Sequence, residues 1–241
     1  MFIVSMTAYA NPSCRQVVLY TYHNKPPFIT SLEKEEGLYF DLATLLNSRS
    51  ANYHFSTAYI PRKRLDYMIA SDKLDGVVVG VSPTWFADDT ETRFLWLPPL
   101  FVDRDEFVSL ASTPFEYQDP ASLEGKTMAG VAGFYYMNIN EAVAAGELLR
   151  VNTIGEREVL ELVAKGRVDF GIVSRSVFSY LQRKHQLSST FHFSEQPHDA
   201  FTRRAFTSPQ QHELHDELQR LMAGLQDDPA WQAMKARYRS N

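Results

Sequence analysis

Two short apolar runs constrain the fold of this chain more than any other feature. Leu74–Val81 and Val168–Val173 are apolar almost throughout. A strand that is apolar on both faces is typical of a parallel sheet covered by helices on each side. The chain is therefore predicted to contain two α/β units in series.

The same alternation of strands and helices accompanies each run. Strands are predicted from β-branched and aromatic residues, and helices from apolar residues at helical spacing. In the first unit the predicted elements are the strands Gln16–Tyr22 and Tyr53–Tyr59 and the helices Gly37–Ser48 and Arg64–Ala70. In the second unit they are the strands Lys126–Val131 and Val151–Ile154 and the helices Met137–Leu149 and Glu156–Lys165.

Two further segments connect and close these units. Phe107–Ala111 is extended and apolar, which predicts a strand that crosses from the first unit to the second. The segment after Pro209 has leucines at helical spacing and predicts a helix. Asp228 and Pro229 favour the start of a last helix, as its N-cap and its first helical residue.

Composition excludes several classes of protein and site. Charged residues make up 22% of the 241 residues and the formal net charge is -5, which does not fit the basic surface of a nucleic-acid binder. A single cysteine, Cys14, excludes an intramolecular disulfide. His212 and His215 lie three apart on a predicted helix, but a zinc site needs three or four ligands. No metal, cofactor or nucleic acid is expected.

The N-terminus resembles part of an export signal. Residues 1–10, MFIVSMTAYA, are apolar and end in a small-x-small pattern of the kind that signal peptidase cleaves. The favoured interpretation is a signal-peptide remnant over residues 1–10 and export to the periplasm. A buried N-terminus is the alternative, because no Lys or Arg follows Met1. A lipoprotein anchor at Cys14 is disfavoured, because the residues before it are neither apolar nor small enough.

Four motifs in a fixed order carry a resemblance to a known family. Each is weak alone, but their order and spacing cover nearly the whole chain. They are Lys25–Phe28 with Gly37–Ala43, Leu74–Thr84 with Phe94 and Pro98–Leu100, Ser122–Gly133, and Gly166–Asp169 with the closing Asp227–Tyr238. In these motifs the chain resembles extracellular solute-binding protein family 3, whose best-known members bind polar amino acids for ABC importers.

This resemblance implies an α/β chain with the two-lobed periplasmic-binding-protein fold of type II. Each lobe would have a central mixed sheet flanked by helices, and a two-strand hinge would let the lobes close on a ligand. Lobe one would comprise residues 16–105 and 197–241, and lobe two residues 107–193. The resemblance also implies a monomer that serves an ABC permease or a membrane receptor.

Two polar hallmarks of the family's amino-acid pocket are absent. In those binders a lobe-one Ser/Thr pair is followed by an Arg that clamps the ligand carboxylate through two parallel hydrogen bonds. Ser82 and Thr84 keep the hydroxyls, but Ala87 stands where the Arg would be. Ser174 stands where a lobe-two carboxylate would hold the ligand ammonium group. A standard α-amino acid is therefore disfavoured, because burying its charges unpaired is costly.

Two arginines are candidates to restore a cation. Arg64 begins the second predicted helix and fits a pattern in one branch of the family, so we expect it to clamp an anion. Arg175, beside Ser174, is the second candidate. The alternative of equal weight is that Arg62, Lys63 and Arg64 form a solvated helix start.

Aromatic side chains are expected to line the cleft and to favour an anionic or aromatic ligand. Packing within the core is an equal alternative for Phe28 and Phe134. The complete set of predicted ligand-binding residues is Tyr22, Arg64, Ser82, Thr84, Trp85, Gly133, Phe134, Tyr135, Ser174 and Arg175.

The sequence thus predicts a periplasmic solute-binding protein that captures a small polar molecule for ABC import. A ligand-sensing partner of a membrane receptor is the alternative. A weaker one is an enzyme related to the periplasmic dehydratases of this fold. Its candidate acids are dispersed, and the hydrolase motifs G-x-S-x-G and H-E-x-x-H are absent, so no catalytic residue is expected. Those acids are Glu36, Asp88, Asp89 and Asp103.

Overall fold

The computed structural model of the protein describes residues 14–185 and 190–238. The predicted signal-peptide remnant, residues 1–10, lies outside them. The described strands are β1 Arg15–Thr21, β2 Tyr53–Tyr59, β3 Val77–Val81, β4 Leu95–Trp96, β5 Phe101–Leu110, β6 Lys126–Val131, β7 Leu148–Thr153, β8 Phe170–Ser174, β9 Phe191–Phe193 and β10 Asp199–Thr207. The described helices are α1 Leu38–Asn47, α2 Arg62–Ala70, α3 Ile139–Ala145, α4 Glu156–Ala164, α5 Arg175–His185, α6 His212–Met222 and α7 Pro229–Tyr238.

The first lobe is built on strands from both ends of the chain. β1 pairs in parallel with β2 and β3, and β10 lies antiparallel to β3 and to the short β4. Every residue of β3 is buried, as expected for a strand covered on both faces. α1 packs its leucines into the same core as Trp231 of α7, which brings the C-terminal helix back onto the first lobe.

The second lobe repeats this plan. β6 pairs in parallel with β7 and β8, and β5 lies antiparallel to β8. Every residue of β8 is buried, and α4 covers it with Val159, Leu160 and Val163. The prediction of an α/β chain with two buried apolar strands in mixed sheets is confirmed.

β5 and β10 lie side by side between the lobes and form the hinge. Residues 101–105 of β5 pair with 199–203 of β10, after which β5 pairs with β8 and β9. Asp105 pairs with Asp199 on one side and with Ser174 on the other, so β5 enters the second lobe at this residue. β10 shifts register between Arg204 and Ala205 and then pairs with β3.

A buried ion pair joins the two hinge strands. Arg203 Nε lies 2.8 Å from Asp103 Oδ2, and both side chains are almost fully buried. Arg203 also donates to the Gly80 carbonyl at 2.9 Å, and Asp103 accepts from the hydroxyl of Ser176 at 2.7 Å. Burial alone raises the pKa of Asp103, but the Arg203 charge and these hydrogen bonds lower that pKa below its ordinary value. The ionised pair therefore ties β3 of lobe one to α5 of lobe two.

The predicted helix Met137–Leu149 is wrong at both ends. α3 begins at Ile139, after Asn138 with a left-handed φ of 63°. It ends at Ala145, because Gly146 takes a left-handed φ of 77° that terminates the helix. Leu148 then pairs with Lys126 and starts β7. α5 and β10 are elements that the sequence patterns do not predict.

Replacing Asp103 with Asn should destabilise the protein by about 3–5 kcal/mol, because the charge of Arg203 stays buried without its partner. Urea unfolding followed by circular dichroism measures this loss. The control is Glu161→Gln, which breaks an exposed ion pair with Arg157 and should leave the midpoint nearly unchanged. An Asp103→Asn variant as stable as wild type would contradict the structural role of the pair.

Candidate functional site

Loops that follow β1 and β3 in lobe one face the loops after β6 and β7 and the end of β8 in lobe two. Lys25, after β1, forms an ion pair with Glu156 at the start of α4 and donates to the hydroxyl of Ser174 at the end of β8. We call the space between these loops the cleft. In open α/β sheets ligands bind beyond the carboxyl ends of the strands, which is where the cleft lies.

Three aromatic rings form the wall of the cleft on lobe one. The His23 ring centre lies 4.2 Å from that of Tyr22 and 5.6 Å from that of Trp85. Arg62, at the start of α2, places its guanidinium carbon 5.1 Å from the Tyr22 ring centre and donates to the Trp85 carbonyl at 2.9 Å. Burial raises the pKa of Tyr22 to about 12, so its phenol stays protonated at neutral pH.

His23 is a cleft residue that sequence reasoning missed. Burial lowers its pKa well below the ordinary value, and the charges of Arg203, Lys25 and Arg62 lower it further. The ring is therefore neutral at neutral pH. Its Nδ1 is buried without a hydrogen-bond partner among the described residues, a polar atom that a ligand or a water molecule can satisfy. A lone histidine after a strand belongs to no motif, so the sequence carried no signal for it.

Arg203 is buried behind the hinge side of the cleft. Its guanidinium carbon lies 4.4 Å from the ring centre of Phe28, 5.4 Å from that of Trp85 and 5.0 Å from that of Phe201. Guanidinium groups stack favourably on aromatic faces, so this buried cation fixes the positions of the rings around it. Phe28 is fully buried, in line with the alternative that it packs in the core.

The lobe-two wall begins with the loop after β6, which contains Gly133, Phe134 and Tyr135. Gly133 has a φ of 79°, a left-handed conformation that favours glycine. The Phe134 ring centre lies 5.5 Å from Lys25 Nζ, so this ring faces the cleft. Tyr135 is 67% exposed, and its hydroxyl donates to Glu141 of its own lobe. The structure thus brings Phe134, and not Tyr135, against a lobe-one side chain.

Ser174 lies at the centre of a buried polar cluster on lobe two. Its hydroxyl lies 2.9 Å from Lys25 Nζ and 2.8 Å from Asp105 Oδ1, and its backbone N–H donates to Glu156 Oε2 at 3.1 Å. Burial raises the pKa of Glu156, and the charge of Lys25 opposes that shift. Although position 174 carries no acid, Glu156 and Asp105 supply carboxylates beside it. Sequence reasoning missed both, because neither occupies the family's position for an acid.

A cavity of about 320 Å³ lies between the lobes beside the hinge. Three predicted residues, Ser82, Thr84 and Trp85, meet there with Met137 of lobe two. This volume is near the lower end of the range for ligand pockets, roughly 300–1,000 Å³. Its remaining lining residues are Pro83, Glu91, Asp199, Ala200, Phe201, Thr202 and Arg204.

Arg64, the predicted anion clamp, does not line this cavity. It is exposed on α2, and its charge acts on Tyr20 rather than on a cleft residue. α2 begins at Arg62, two residues earlier than predicted, and it is Arg62 that contacts Tyr22 and Trp85. The anion clamp at Arg64 stays a prediction, and the structure favours Arg62 as the cation of this wall.

Arg175, the second predicted cation, lies in a different place. Its Nε is 3.0 Å from a carboxylate oxygen of Glu106, and its guanidinium carbon is 3.8 Å from the ring centre of Phe193. It lines a mainly apolar groove of about 440 Å³ that also contains Lys235 and Tyr238 of α7. Arg175 and the cavity residues Ser82 and Thr84 therefore do not form one site.

Solved structures share the architecture described above. A histidine kinase sensor domain with similarity to periplasmic binding proteins matches with a TM-score of 0.70 and 16% identity over 93% of this chain and 96% of that one. A mutant of ArgBP from T. maritima matches with a TM-score of 0.68 and 14% identity over 92% of this chain and 94% of that one. The GluR0 ligand-binding core from Nostoc punctiforme, in complex with L-glutamate, matches with a TM-score of 0.68 and 12% identity over 92% of this chain and 98% of that one. The chain has the Venus-flytrap fold of periplasmic binding proteins.

The Venus-flytrap fold is the one that the sequence resemblance implied, so the fold prediction is confirmed. No protein-family model and no curated protein matches the sequence. Across residues 14–185 and 190–238, none of the helices combines the length and the apolar character needed to cross a membrane.

Replacing Arg62 with Ala should lower the free energy of unfolding by about 1 kcal/mol, because its guanidinium loses the Tyr22 and Phe86 ring faces and its bond to the Trp85 carbonyl. Arg64→Ala, in the same turn of α2, is the matched control and should resemble wild type. Guanidinium unfolding followed by tryptophan fluorescence measures both. Equal losses in the two variants would contradict this assignment of the inward-facing cation.

Proposed function

We propose that the protein is a periplasmic solute-binding protein that closes about its hinge on a small polar molecule and delivers it, as a monomer, to an ABC importer. The observation that carries this proposal is the cavity beside the hinge. Its walls come from Ser82, Thr84 and Trp85 of lobe one, Met137 of lobe two and the hinge strand β10. A cavity with walls from both lobes changes shape when the lobes rotate, so its occupancy is coupled to closure.

The charges around the cleft favour a ligand other than a standard α-amino acid. Arg203 is paired with Asp103 and Arg204 with Glu91, and Ala87 provides no guanidinium for an α-carboxylate. Besides the charged residues Glu91, Asp199 and Arg204, the cavity is lined by the hydroxyl residues Ser82 and Thr84 and the aromatic residues Trp85 and Phe201. Aromatic walls with a few polar groups suit a planar molecule. The preference for an anionic substituent stays a prediction, because Arg62 behind Trp85 is paired with Asp66 and the cavity lining includes Glu91 and Asp199.

A sensor role is the alternative supported by the comparisons. Two of the similar structures are a histidine kinase sensor domain and the periplasmic VFT2 domain of BvgS from Bordetella pertussis, the latter with a TM-score of 0.63 and 16% identity over 93% of each chain. In that role the same closure would report the ligand to a membrane receptor instead of a permease.

Two of the candidate catalytic acids, Asp88 and Asp103, are held by structural contacts. Asp88 accepts hydrogen bonds from the backbone N–H groups of Thr92, Arg93 and Phe94 and from the Trp96 indole, which accounts for its burial. Asp103 belongs to the hinge ion pair. General acid–base catalysis needs acids that converge on one substrate, and these two carboxylates are occupied by structural contacts.

A thermal-shift screen of ligand-stripped protein against aromatic acids, dicarboxylates, sugars and amino acids tests the proposal. A ligand at 100 times its Kd adds about 2.7 kcal/mol, which should raise Tm by roughly 5–10 °C. An aromatic or anionic compound is expected to give this shift. If no compound does, solute binding is contradicted.

The double variant Ser82→Ala/Thr84→Val locates the binding site. It removes two hydroxyls from the cavity wall and should weaken binding of the screened ligand by roughly 5- to 150-fold, from about 0.5–1.5 kcal/mol per hydrogen bond. Ser112→Ala/Thr113→Val makes the same chemical change in the exposed turn after β5 and should bind like wild type. Calorimetric titration compares them, and equal affinities in both double variants would place the ligand elsewhere.

A further inference from the structure

Lys25 is a lobe-one side chain held by groups of lobe two. It lies in the loop after β1, and its side chain is only 14% exposed. Its ammonium group forms an ion pair with Glu156, whose side chain is 4% exposed, and lies 2.9 Å from the Ser174 hydroxyl. The same Nζ lies 5.5 Å from the centre of the Phe134 ring. A carboxylate, a hydroxyl and an aromatic face thus surround one ammonium group.

This set of contacts is what a primary ammonium ion needs when it leaves water. An ammonium group has three donors, and charge-assisted bonds to a carboxylate combined with an aromatic face replace its hydration. The lobe-two groups are also held in place without Lys25. Ser174 donates its N–H to Glu156 and its hydroxyl lies within hydrogen-bond distance of Asp105, so the acceptors keep their positions if the lysine is removed.

We propose that lobe two contains a pocket for a primary ammonium group and that Lys25 of lobe one fills it when the lobes come together, so that the protein's own side chain stabilises the closed cleft. This inference goes beyond the proposed function, because the lysine joins the lobes whether or not a solute occupies the cavity beside the hinge. It also sets a rule of specificity. A molecule with a primary amine has to displace Lys25 to enter this pocket, so the wild-type pocket excludes amines.

Removing the lysine side chain should open the pocket to an external amine. Lys25→Ala lacks three methylene groups and the ammonium, which is the composition of propylammonium. In Lys25→Ala the loss of a buried pair should lower Tm by roughly 6–20 °C. Propylammonium chloride should recover a saturable part of that loss, whereas sodium chloride at equal ionic strength and 1-propanol should not. Wild type and Lys34→Ala, which changes an exposed lysine in the next turn, should show no propylammonium-specific shift.

Two further variants decide between outcomes. In Lys25→Ala/Glu156→Gln the propylammonium shift should disappear, because the pocket has lost its carboxylate next to the amine. A shift that persists in this double variant, or its absence from a folded Lys25→Ala protein, would overturn the proposal. Should Lys25→Ala fail to fold, Lys25→Met keeps a side chain of similar length without the charge. Its radius of gyration by solution scattering should exceed that of the ligand-free wild type, and equal radii would overturn the closed tether.

These outcomes are separable from those of the solute screen. A wild-type protein that binds no solute, together with an amine-responsive Lys25→Ala variant, would remove the proposed function and leave the role of Lys25 standing. A solute that binds wild type, together with an unresponsive Lys25→Ala variant, would do the reverse.

Discussion

The ion pair between Arg203 and Asp103 is the contact on which both lobes depend. Each partner comes from one hinge strand, and each extends into a different lobe: Arg203 to the Gly80 carbonyl of β3, and Asp103 to Ser176 at the start of α5. Two desolvated charges are tolerated only when their remaining hydrogen-bonding capacity is satisfied. The hydrogen bonds to Gly80 and Ser176 satisfy that capacity. The ion pair is therefore stable only when the hinge strands are oriented so that both bonds form.

The same cation shapes the cleft. Because the Arg203 guanidinium packs against Trp85 and Phe201, the aromatic surface offered to a ligand is arranged around a charge that is already neutralised. Across the cleft, the buried Glu156 is paired with Lys25. The charges of Arg203 and Glu156 are thus paired within the protein. Neither charge is then available to pair with a ligand. The hydroxyls, the ring faces and the shape of the cavity therefore contribute more to ligand selectivity than these charges do.

Local sequence patterns predict the elements whose determinants are local. β2 has the bounds that its β-branched and aromatic residues predict, and α1 differs by one residue at each end. β10 escapes such reasoning because its partners, β3 and β5, lie about 100 residues or more away in the chain. Arg203 illustrates the same limit. Between Thr202 and Arg204 it has the sequence context of a solvated residue, and only the pairing of β10 with β5 buries it.

The candidate site was predictable where a motif fixes the position, and not where long-range pairing does. Ser82 and Thr84 follow directly from the strand and turn that carry them, and both line the cavity. The sequence does not show which of the neighbouring cations Arg62, Lys63 and Arg64 faces the cleft. In the structure Arg62 contacts Tyr22 and Trp85. Lys25 belongs to a sequence motif, yet its partner Glu156 lies 131 residues further along the chain. A serine at position 174 therefore does not mean that lobe two lacks an acid beside this position. Glu156, at the start of α4, lies next to Ser174, and Lys25 neutralises its charge.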